Sequence, residues 1–237
     1  MVSATAIREM FARIATRYDV ANQIISGGLC RWWLRRLTKL VSRTTEHRSS
    51  PMIIADLATG SGDVAFALAR ALPDAKVNGY DFCKPMLDIA LRKRASMGAE
   101  NPQFEIGDCM ALPLADNSVD VVTIAYGVRN FQDRKRGLDE IYRVLRPDGS
   151  VFILEFSQPQ VWFRPVYYLY LRILLPLIAR LATGNKEDYD YLAKSIAIFP
   201  NKKNFADELR TAGFIQVKIL SLSIGIVAVH YAKKDKK

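Results

Sequence analysis

Residues that bind metals or form disulfides are scarce in this chain of 237 residues. It has two histidines and three cysteines, Cys30, Cys83 and Cys109, which are widely separated and share no repeated spacing. An odd number of cysteines without a repeated spacing argues against a disulfide framework and against a structural zinc site. We therefore expect a reducing, cytoplasmic environment and no metal cofactor.

Long apolar runs and targeting segments are also missing. No uncharged apolar stretch reaches the length of about 18 residues that a membrane-spanning helix needs, so none is predicted. Residues 1–19 mix arginines and acids among their apolar positions, which is not the pattern of a secretory signal.

Positive charge is present in excess, since 34 basic residues stand against 24 acidic ones and the net charge is +10. Such an excess favours attraction to an anionic surface, either nucleic acid or lipid headgroups. A soluble protein that is merely basic has the same composition, and charge alone does not separate these cases. Half of the residues are hydrophobic, which excludes general disorder and allows a sizeable core.

Strand and helix patterns alternate after residue 50. Residues 1–50 are predicted to form a basic, helical N-terminal cap, and residues 51–237 the main domain. The predicted strands are 52–57, 76–81, 103–108, 119–125, 150–156, 214–220 and 226–231, and the main helices are 63–72, 84–97, 134–145 and 204–212. This alternation predicts an α/β fold, a mostly parallel sheet with helices on both faces, whose last two strands form an antiparallel hairpin. Residues 161–199 interrupt the pattern as a helical, aromatic and cationic insertion.

A glycine-rich turn follows the first predicted strand directly, in the segment Asp56-Leu57-Ala58-Thr59-Gly60-Ser61-Gly62-Asp63. Gly60 and Gly62 have no Cβ and tolerate positive φ, so the backbone can approach a ligand closely. A strand, such a turn and a helix form a nucleotide-type pocket at the carboxyl end of a parallel sheet. The flanking acids Asp56 and Asp63 disfavour a pyrophosphate and favour a cationic or neutral cofactor, for which S-adenosylmethionine is the best fit.

The same segment also satisfies the dinucleotide-binding fingerprint, with Asp81 at the expected distance downstream, so a nicotinamide dinucleotide is a serious alternative. Three features favour S-adenosylmethionine. The carboxylate of Asp56 can order the turn and attract an ammonium, and Asp108 ends the third strand, where it can accept from an adenine amino group. The C-terminal hairpin replaces the second mononucleotide-binding half that a dinucleotide fold needs. A tight turn that holds no ligand also remains open.

The remaining expected cofactor contacts lie at the ends of the predicted strands. Asp81 ends the second strand, where its two oxygens can accept both ribose hydroxyls, and it can equally cap the helix that follows. Cys109 is expected to form an apolar wall beside the adenine rather than a nucleophile. Ser61, Phe82 and Ala125 complete the expected site.

The chain resembles the ubiquinone/menaquinone biosynthesis C-methyltransferase family, within the class I methyltransferase fold, almost from end to end. The residues that carry the resemblance are Phe11–Asp19 (FARIATRYD), Trp33, the Asp56–Asp63 segment, Gly127–Asn130, Tyr142–Pro147, Leu154–Ser157, Tyr191-Leu192, Ser195-Ile196, Phe199-Pro200, Gly225–Val227 and His230. The combination of Gly-x-Arg-Asn with the late Ser-Ile-x-x-Phe-Pro run is specific. Ser61 departs from a Thr that is usual in the family, which keeps a hydroxyl. The resemblance implies a seven-stranded, Rossmann-like sheet.

The resemblance also implies methyl transfer from S-adenosylmethionine to a ring carbon of a reduced, polyprenylated quinol, with S-adenosylhomocysteine as product. Demethylmenaquinol is the favoured acceptor, although a benzoquinol remains open. A ring carbon becomes a good nucleophile when the ortho hydroxyl loses its proton, so the site must position the ring and assist that proton. We expect Arg129 to stabilise the phenolate, Asn130 to orient the ring or a water, and Tyr18 to reach over the site. The alternatives are a surface ion pair of Arg129 with Asp133 or Glu140, and an ordinary buried role for Tyr18.

A polyprenyl quinol dissolves in bilayers, so we expect peripheral work at a membrane surface. Trp32 and Trp33, with the nearby arginines and Lys39, form an aromatic and basic helix of the interfacial type. Residues 162–181 are very apolar but carry arginines, which suits a membrane-docking lid or a prenyl channel, with a kink at Pro176. Packing on the core or on a second subunit explains them equally well, so a homodimer also remains open.

Two other enzyme classes have weaker support. A nicotinamide-dependent oxidoreductase needs a catalytic Tyr-Lys, Cys or His group, but His47 lies in a polar linker and His230 is expected to be a satisfied strand residue. An RNA methyltransferase acting on amino nitrogens commonly has an Asn/Asp-Pro-Pro-aromatic loop after the fourth strand, where this chain has residues 125–130, Ala-Tyr-Gly-Val-Arg-Asn. We therefore expect no nucleic-acid partner.

Overall fold

The computed structural model describes residues 4–15, 20, 22–23, 26–48, 51–174 and 187–236. Its α-helices are α1 (Ala4–Ile14), α2 (Leu29–Thr45), α3 (Asp63–Ala71), α4 (Lys84–Ser96), α5 (Arg134–Val144), α6 (Arg164–Leu169), α7 (Glu187–Ile198) and α8 (Lys202–Thr211). Its strands are β1 (Ile53–Leu57), β2 (Lys76–Asp81), β3 (Gln103–Ile106), β4 (Val119–Ala125), β5 (Leu145–Phe156), β6 (Ile215–Leu222) and β7 (Val227–Lys233).

The seven strands form one sheet in the order β3-β2-β1-β4-β5-β7-β6. Strands β1 to β5 pair in parallel, and β7 runs antiparallel to both of its neighbours. This confirms the predicted fold class. The chain order reverses beside β1, because β2 lies on one side of it and β4 on the other, and such a switch point opens a crevice at the carboxyl ends of the strands.

Most element boundaries differ from the sequence prediction by one or two residues, and three of the differences have an identifiable local cause. β3 ends at Ile106, and Asp108 instead forms an isolated bridge with Ala111, so this acid belongs to a turn. β5 begins at Leu145, because that residue already pairs with Val119 before a register shift. α8 begins two residues before the predicted Asn204, since the side chain of Asn201 accepts from the N–H groups of residues 203 and 204.

The core lies on both faces of the sheet. On one face, Trp33, Leu37 and Val41 of α2 pack with Phe152 of β5 and with residues of α3 and α4. On the other face, side chains of α5 and α8 pack against β1, β4 and β5. The helix α2 therefore shares a hydrophobic core with the sheet, and the domain division at residue 50 stays a prediction.

The described part of the insertion, residues 161–174 and 187–199, is helical. Tyr167, Leu171 and Ile196 are buried there and pack against Phe156 and Ile226, at the end of β5 and the start of β7. This contact fixes the insertion beside the carboxyl edge of the sheet. The predicted kink at Pro176 lies outside the described residues.

Candidate active site

A cavity of about 790 Å³ lies at the carboxyl edge of the sheet, where β1, β2 and β4 end. Expected site residues on its wall are Gly60, Asp81, Phe82, Asp108, Cys109, Ala125 and Asn130. A second cavity of about 550 Å³ adjoins it, shares Ala58, Gly60, Ala125 and Tyr126 with it, and is also lined by Asp56 and Ser61. Of the nine residues expected to contact the cofactor, eight line one or both of these adjoining cavities, and Gly62 is the exception.

The glycine turn has the backbone conformation that its sequence predicts. Gly60 and Gly62 have φ values of +56° and +85°. A Cβ on Gly62 would lie 2.7 Å from Cζ of Phe104, so no larger residue fits there. The Gly60 N–H donates to Oδ2 of Asp81 at 2.8 Å, which ties the turn to the end of β2. Gly62 lines neither cavity, and its role is to let the turn pack closely against Phe104.

Asp81 is buried and accepts a backbone hydrogen bond on each carboxylate oxygen. Oδ2 accepts from Gly60 N, and Oδ1 accepts from Cys83 N at 2.8 Å. Burial raises the pKa of Asp81 to about 6, although these backbone donors oppose the shift. Each oxygen keeps a second lone pair for a ligand hydroxyl. The two roles predicted for Asp81 can therefore coexist, since it orders the start of α4 and also faces the cavity.

Asp56 orders the turn from inside the protein. Its Oδ2 accepts from the Thr59 hydroxyl at 2.6 Å, and its Oδ1 accepts from the Thr123 hydroxyl at 2.7 Å. Burial raises the pKa of Asp56 to about 7, while both threonine hydroxyls oppose this shift and the nearby charge of Asp81 adds to it. The two threonines were missed by the sequence analysis. A threonine among the apolar residues 121–125 of β4 was the available signal for Thr123.

The turn after β3 contains the expected adenine contacts. Asp108 is exposed, and its Oδ1 accepts from Met110 N at 2.9 Å, as in an ordinary turn. Cys109 is buried, and burial raises the pKa of its thiol far above the ordinary value, with the charges of Asp81 and Asp108 adding to the shift. A thiol in this state is not a nucleophile. The Phe82 ring lies beneath the guanidinium of Arg8, 5.4 Å from its centroid.

The loops after β1 and β4 touch each other. Ala58 and Tyr126 both have positive φ, +50° and +58°, which is uncommon for residues with a side chain. A Cβ on Gly127 would lie 2.6 Å from the Cβ of Ala58, so this approach requires glycine. Backbone conformations of this kind concentrate at ligand sites.

Arg129 does not lie on the surface. Its Nη1 donates to Oε1 of Glu155 at 2.9 Å and to the carbonyl of Tyr126, and the two charged side chains are 5% and 0% exposed. The alternative prediction of a surface ion pair with Asp133 or Glu140 is therefore wrong.

Both acids named in that alternative have other partners. Asp133 caps α5 by accepting from Arg136 N, and Glu140 pairs with Arg143. Glu155 was missed by the sequence analysis as a site residue, although an acid among the otherwise apolar residues 151–156 of β5 was a signal for it.

Asn130 connects the cavity wall to the helical insertion through a hydrogen bond. It ends the short 3₁₀ turn Val128–Asn130 and lines the larger cavity, and its Oδ1 accepts from the hydroxyl of Tyr191 at 2.9 Å. Tyr191 belongs to α7 and was quoted in the sequence only as part of the family resemblance. Tyr18, the third expected catalytic residue, lies outside the described residues.

Three other sequence expectations concern ordinary structural residues. His230 is buried, its Nε2 lies 2.8 Å from the carbonyl of Lys202, and burial lowers its pKa to about 4. Its Nδ1 is buried without a hydrogen-bond partner among the described residues, so the prediction of a satisfied strand residue holds for one ring nitrogen only. His47 is exposed, as expected of a polar linker. Trp33 is only 3% exposed and donates its Nε1–H to Ser223 at 2.9 Å, so the prediction that it is interfacial is wrong. An apolar face that turns inward hides an aromatic residue, whatever its basic neighbours are.

The charge of the two cavities is negative. Among the described residues on their walls there are four aspartates, at positions 56, 63, 81 and 108, and no lysine or arginine. Within the described part of the chain, no group of three or more His, Cys, Asp or Glu residues is arranged to hold a metal ion. Four carboxylates without a basic side chain beside them on the cavity walls fit a cofactor with a sulfonium and an ammonium, and do not fit a pyrophosphate.

The model of the ubiE/COQ5 methyltransferase family matches residues 1–234. The chain belongs to this family. The demethylmenaquinone methyltransferase of Thermus thermophilus is 41% identical over 222 residues, which cover 93% of this chain and 98% of that protein. The ubiquinone/menaquinone biosynthesis C-methyltransferase UbiE of Dinoroseobacter shibae is 39% identical over 230 residues, which cover 96% of this chain and 90% of that one.

Solved structures agree on the fold. Phosphoethanolamine N-methyltransferase 2 of Haemonchus contortus, in complex with S-adenosyl-L-methionine, superposes with a TM-score of 0.64 at 15% identity, covering 85% of this chain and 52% of that one. A S-adenosylmethionine-dependent methyltransferase of Aquifex aeolicus gives a TM-score of 0.57 at 18% identity, covering 81% and 88% of the two chains. Members of this family are methyltransferases, so the chain is a S-adenosylmethionine-dependent methyltransferase. The nicotinamide alternative is not supported.

Proposed function

We propose that this enzyme transfers a methyl group from S-adenosylmethionine to a ring carbon of a reduced polyprenyl quinol, and that demethylmenaquinol is its preferred acceptor. The names of its relatives supply the substrate class, since they are demethylmenaquinone and ubiquinone/menaquinone C-methyltransferases. The observation that carries the proposal is the shared cavity wall, on which Asn130 lies beside the expected cofactor residues Asp81, Phe82 and Cys109. A ring bound near Asn130 is then close to the cofactor.

In this proposal, the cofactor lies across the two cavities. The free lone pairs of Asp81 accept from the ribose hydroxyls, while Phe82 and Cys109 flank the adenine and Asp108 accepts from its amino group. The methionine end lies in the smaller cavity against Gly60, Ser61 and Asp56. A bound cation favours the ionised carboxylate, so it opposes the rise that burial causes in the pKa of Asp56.

The ring then needs help with its ortho hydroxyl. The cofactor supplies an electrophilic methyl group, and this chain supplies the groups that stabilise a phenolate. Arg129 is held at the back of the loop by Glu155 and keeps its proton, so it acts by its charge and not as a base. Asn130 contributes its amide to the substrate oxygen. Tyr18 remains a proposed third contributor from the N-terminal segment.

We also propose that the enzyme docks on an anionic bilayer at the cytoplasmic face of a membrane. Trp162, Val166, Leu169 and Ile173 follow one another at helical spacing, and each side chain is between 57% and 68% exposed. The helix α2 adds the 43% exposed Trp32 and an outward row of cations, Arg31, Arg35, Arg36 and Lys39. Exposed aromatic and aliphatic groups combined with cations suit a lipid headgroup layer. Within the described residues no helix has the length and apolarity required to cross a bilayer.

The acceptor is tested with labelled S-adenosylmethionine. The enzyme is incubated separately with reduced demethylmenaquinol, with a demethylated benzoquinol and with RNA, and the products are separated. We expect label in the quinol fractions, highest in menaquinol, and none in RNA. Label in RNA with none in either quinol overturns the proposal.

Membrane docking is tested by co-sedimentation with vesicles that contain anionic lipid, and with neutral vesicles as the comparison. We expect binding to anionic vesicles that weakens as the salt concentration rises. The variant W162S/I173S is expected to lose this binding while its circular dichroism spectrum shows that it stays folded. Retained binding of the double variant counts against docking. A concentration-dependent change in mass that W162S/I173S abolishes, without vesicle binding of the wild type, assigns the same face to a homodimer instead.

A further inference from the structure

The backbone of the turn that carries Asn130 is fixed from several sides. The N–H of Asn130 donates to the carbonyl of Gly127 at 3.0 Å. The preceding residue, Arg129, is held by Glu155 through both its backbone N–H, at 3.2 Å, and its side chain, at 2.9 Å. The side-chain amide of Asn130 is therefore the adjustable polar group of this turn on the cavity wall.

Tyr191 removes that remaining freedom. An asparagine amide has an oxygen that only accepts and a nitrogen that only donates, so its two orientations present opposite chemistry to a ligand. The Tyr191 hydroxyl donates to Oδ1 of Asn130 at 2.9 Å, which directs the oxygen towards α7. Burial raises the pKa of Tyr191, so the phenol keeps the proton that it donates. Among the residues that the structure describes, none accepts from Nδ2 of Asn130.

We propose that Tyr191 is a positioning residue that orients the Asn130 amide so that its Nδ2 donates to the ring oxygen next to the carbon that is methylated. This inference rests on the proposed quinol function and deepens it. The insertion that carries Tyr191 then has a catalytic task in addition to its proposed membrane docking, because it decides which end of an amide the ring meets.

The physical consequence is a preference for one charge state of the substrate. An N–H that points at the ring oxygen stabilises the phenolate, in which negative charge develops. The opposite amide orientation presents a lone pair to the same oxygen and repels it. Without the Tyr191 hydroxyl both orientations are populated, and only a fraction of the enzyme is competent.

Steady-state kinetics with demethylmenaquinol test this role. Y191F removes only the hydroxyl and is expected to lower kcat about tenfold, as the loss of one hydrogen bond allows, with an unchanged dissociation constant for S-adenosylmethionine. N130A removes the donor itself and is expected to lower kcat about 100-fold. The matched control is Y168F, which removes a phenol hydroxyl of the same insertion whose partner is Gln158, and its kcat is expected to equal that of the wild type.

The double variant N130A/Y191F separates positioning from other roles. If Tyr191 acts through Asn130, this variant has the same kcat as N130A. A further tenfold fall, or full activity of Y191F, overturns the inference.

A second measurement does not depend on turnover. The side-chain amide signal of Asn130 in a ¹H–¹⁵N spectrum is assigned by its absence in N130A, and it is expected to move in Y191F but not in Y168F. A signal that does not move in Y191F overturns the inference. A wild type that labels neither quinol overturns the proposed function instead, and the amide signal still decides whether Tyr191 orients Asn130.

Discussion

Arg129 and Glu155 join two neighbouring strands by a buried ion pair of 2.9 Å behind the candidate active site. Arg129 follows the end of β4, and Glu155 lies near the end of β5. The guanidinium also lies over the ring of Phe156, 5.3 Å from its centroid. The loop that carries Gly127 and Asn130 is thus held by a charge pair that water does not reach.

Removing either partner of this pair is expected to destabilise the fold. E155Q and R129M each leave one buried charge without its partner, so each should lower the free energy of unfolding by about 3–5 kcal/mol. The double variant R129M/E155Q buries no charge, so its loss of unfolding free energy should be smaller than the sum of the two single losses. Urea denaturation measures all three.

A surface pair serves as the control for this experiment. Arg210 and Asp207 are 53% and 69% exposed, so R210M should change stability little. Strict additivity of the two buried substitutions would show that Arg129 and Glu155 are not coupled.

Asp81 is expected to make cofactor affinity depend on pH. Its pKa is raised to about 6, so the carboxyl is protonated at pH 5 and loses acceptor capacity for the ribose hydroxyls. Affinity for S-adenosylmethionine should therefore fall as the pH is lowered through about 6. D81N should bind about 10–100-fold more weakly at pH 8, since a hydrogen bond to a charged group contributes about 1.5–3 kcal/mol.

Isothermal titration calorimetry between pH 5 and pH 8 checks the prediction for Asp81. D88N is the matched control, because Asp88 lies on α4 and pairs with the exposed Lys84. The pH dependence that remains in D81N belongs to Asp56, whose pKa is raised to about 7. An unchanged pH profile in D81N contradicts the role of Asp81.

Gly127 is expected to accept alanine only if Ala58 gives way. G127A places a Cβ 2.6 Å from that of Ala58 and forces the two loops apart, so cofactor affinity and thermal stability should both fall. The rescue variant A58G/G127A removes the clash and relieves the positive φ of residue 58, so both properties should recover. Differential scanning fluorimetry with and without S-adenosylmethionine measures them, and equal values for G127A and the double variant rule out the clash.

The adjacent tryptophans of α2 are expected to behave differently. Trp33 is buried against Tyr126 and Phe156, so W33A should lower the free energy of unfolding by about 3–5 kcal/mol. Trp32 is 43% exposed, so W32A should leave stability nearly unchanged. Chemical denaturation compares the two variants, and equal losses would contradict the burial of Trp33.

Much of this protein follows from local sequence. The alternation of apolar strands and helices predicts the sheet, because each element is selected by the period of its own side chains. The glycine turn and the acids at the ends of β1 and β2 predict the cavity, since parallel strands bring their carboxyl ends to one edge. The full set of family residues, from Phe11 to His230, predicts the enzyme class.

Other features depend on contacts between distant segments. Thr123 meets Asp56 across two strands, Glu155 meets Arg129 from the next strand, and Tyr191 meets Asn130 from an insertion 61 residues away. None of these partners has a spacing that a helix or strand period reveals. The burial of Trp33 was not predicted for the same reason, because which face of a helix is buried depends on what the helix packs against. Local residue patterns determine which elements form, whereas the pairing of buried polar groups is decided only when the sheet brings them within hydrogen-bond distance.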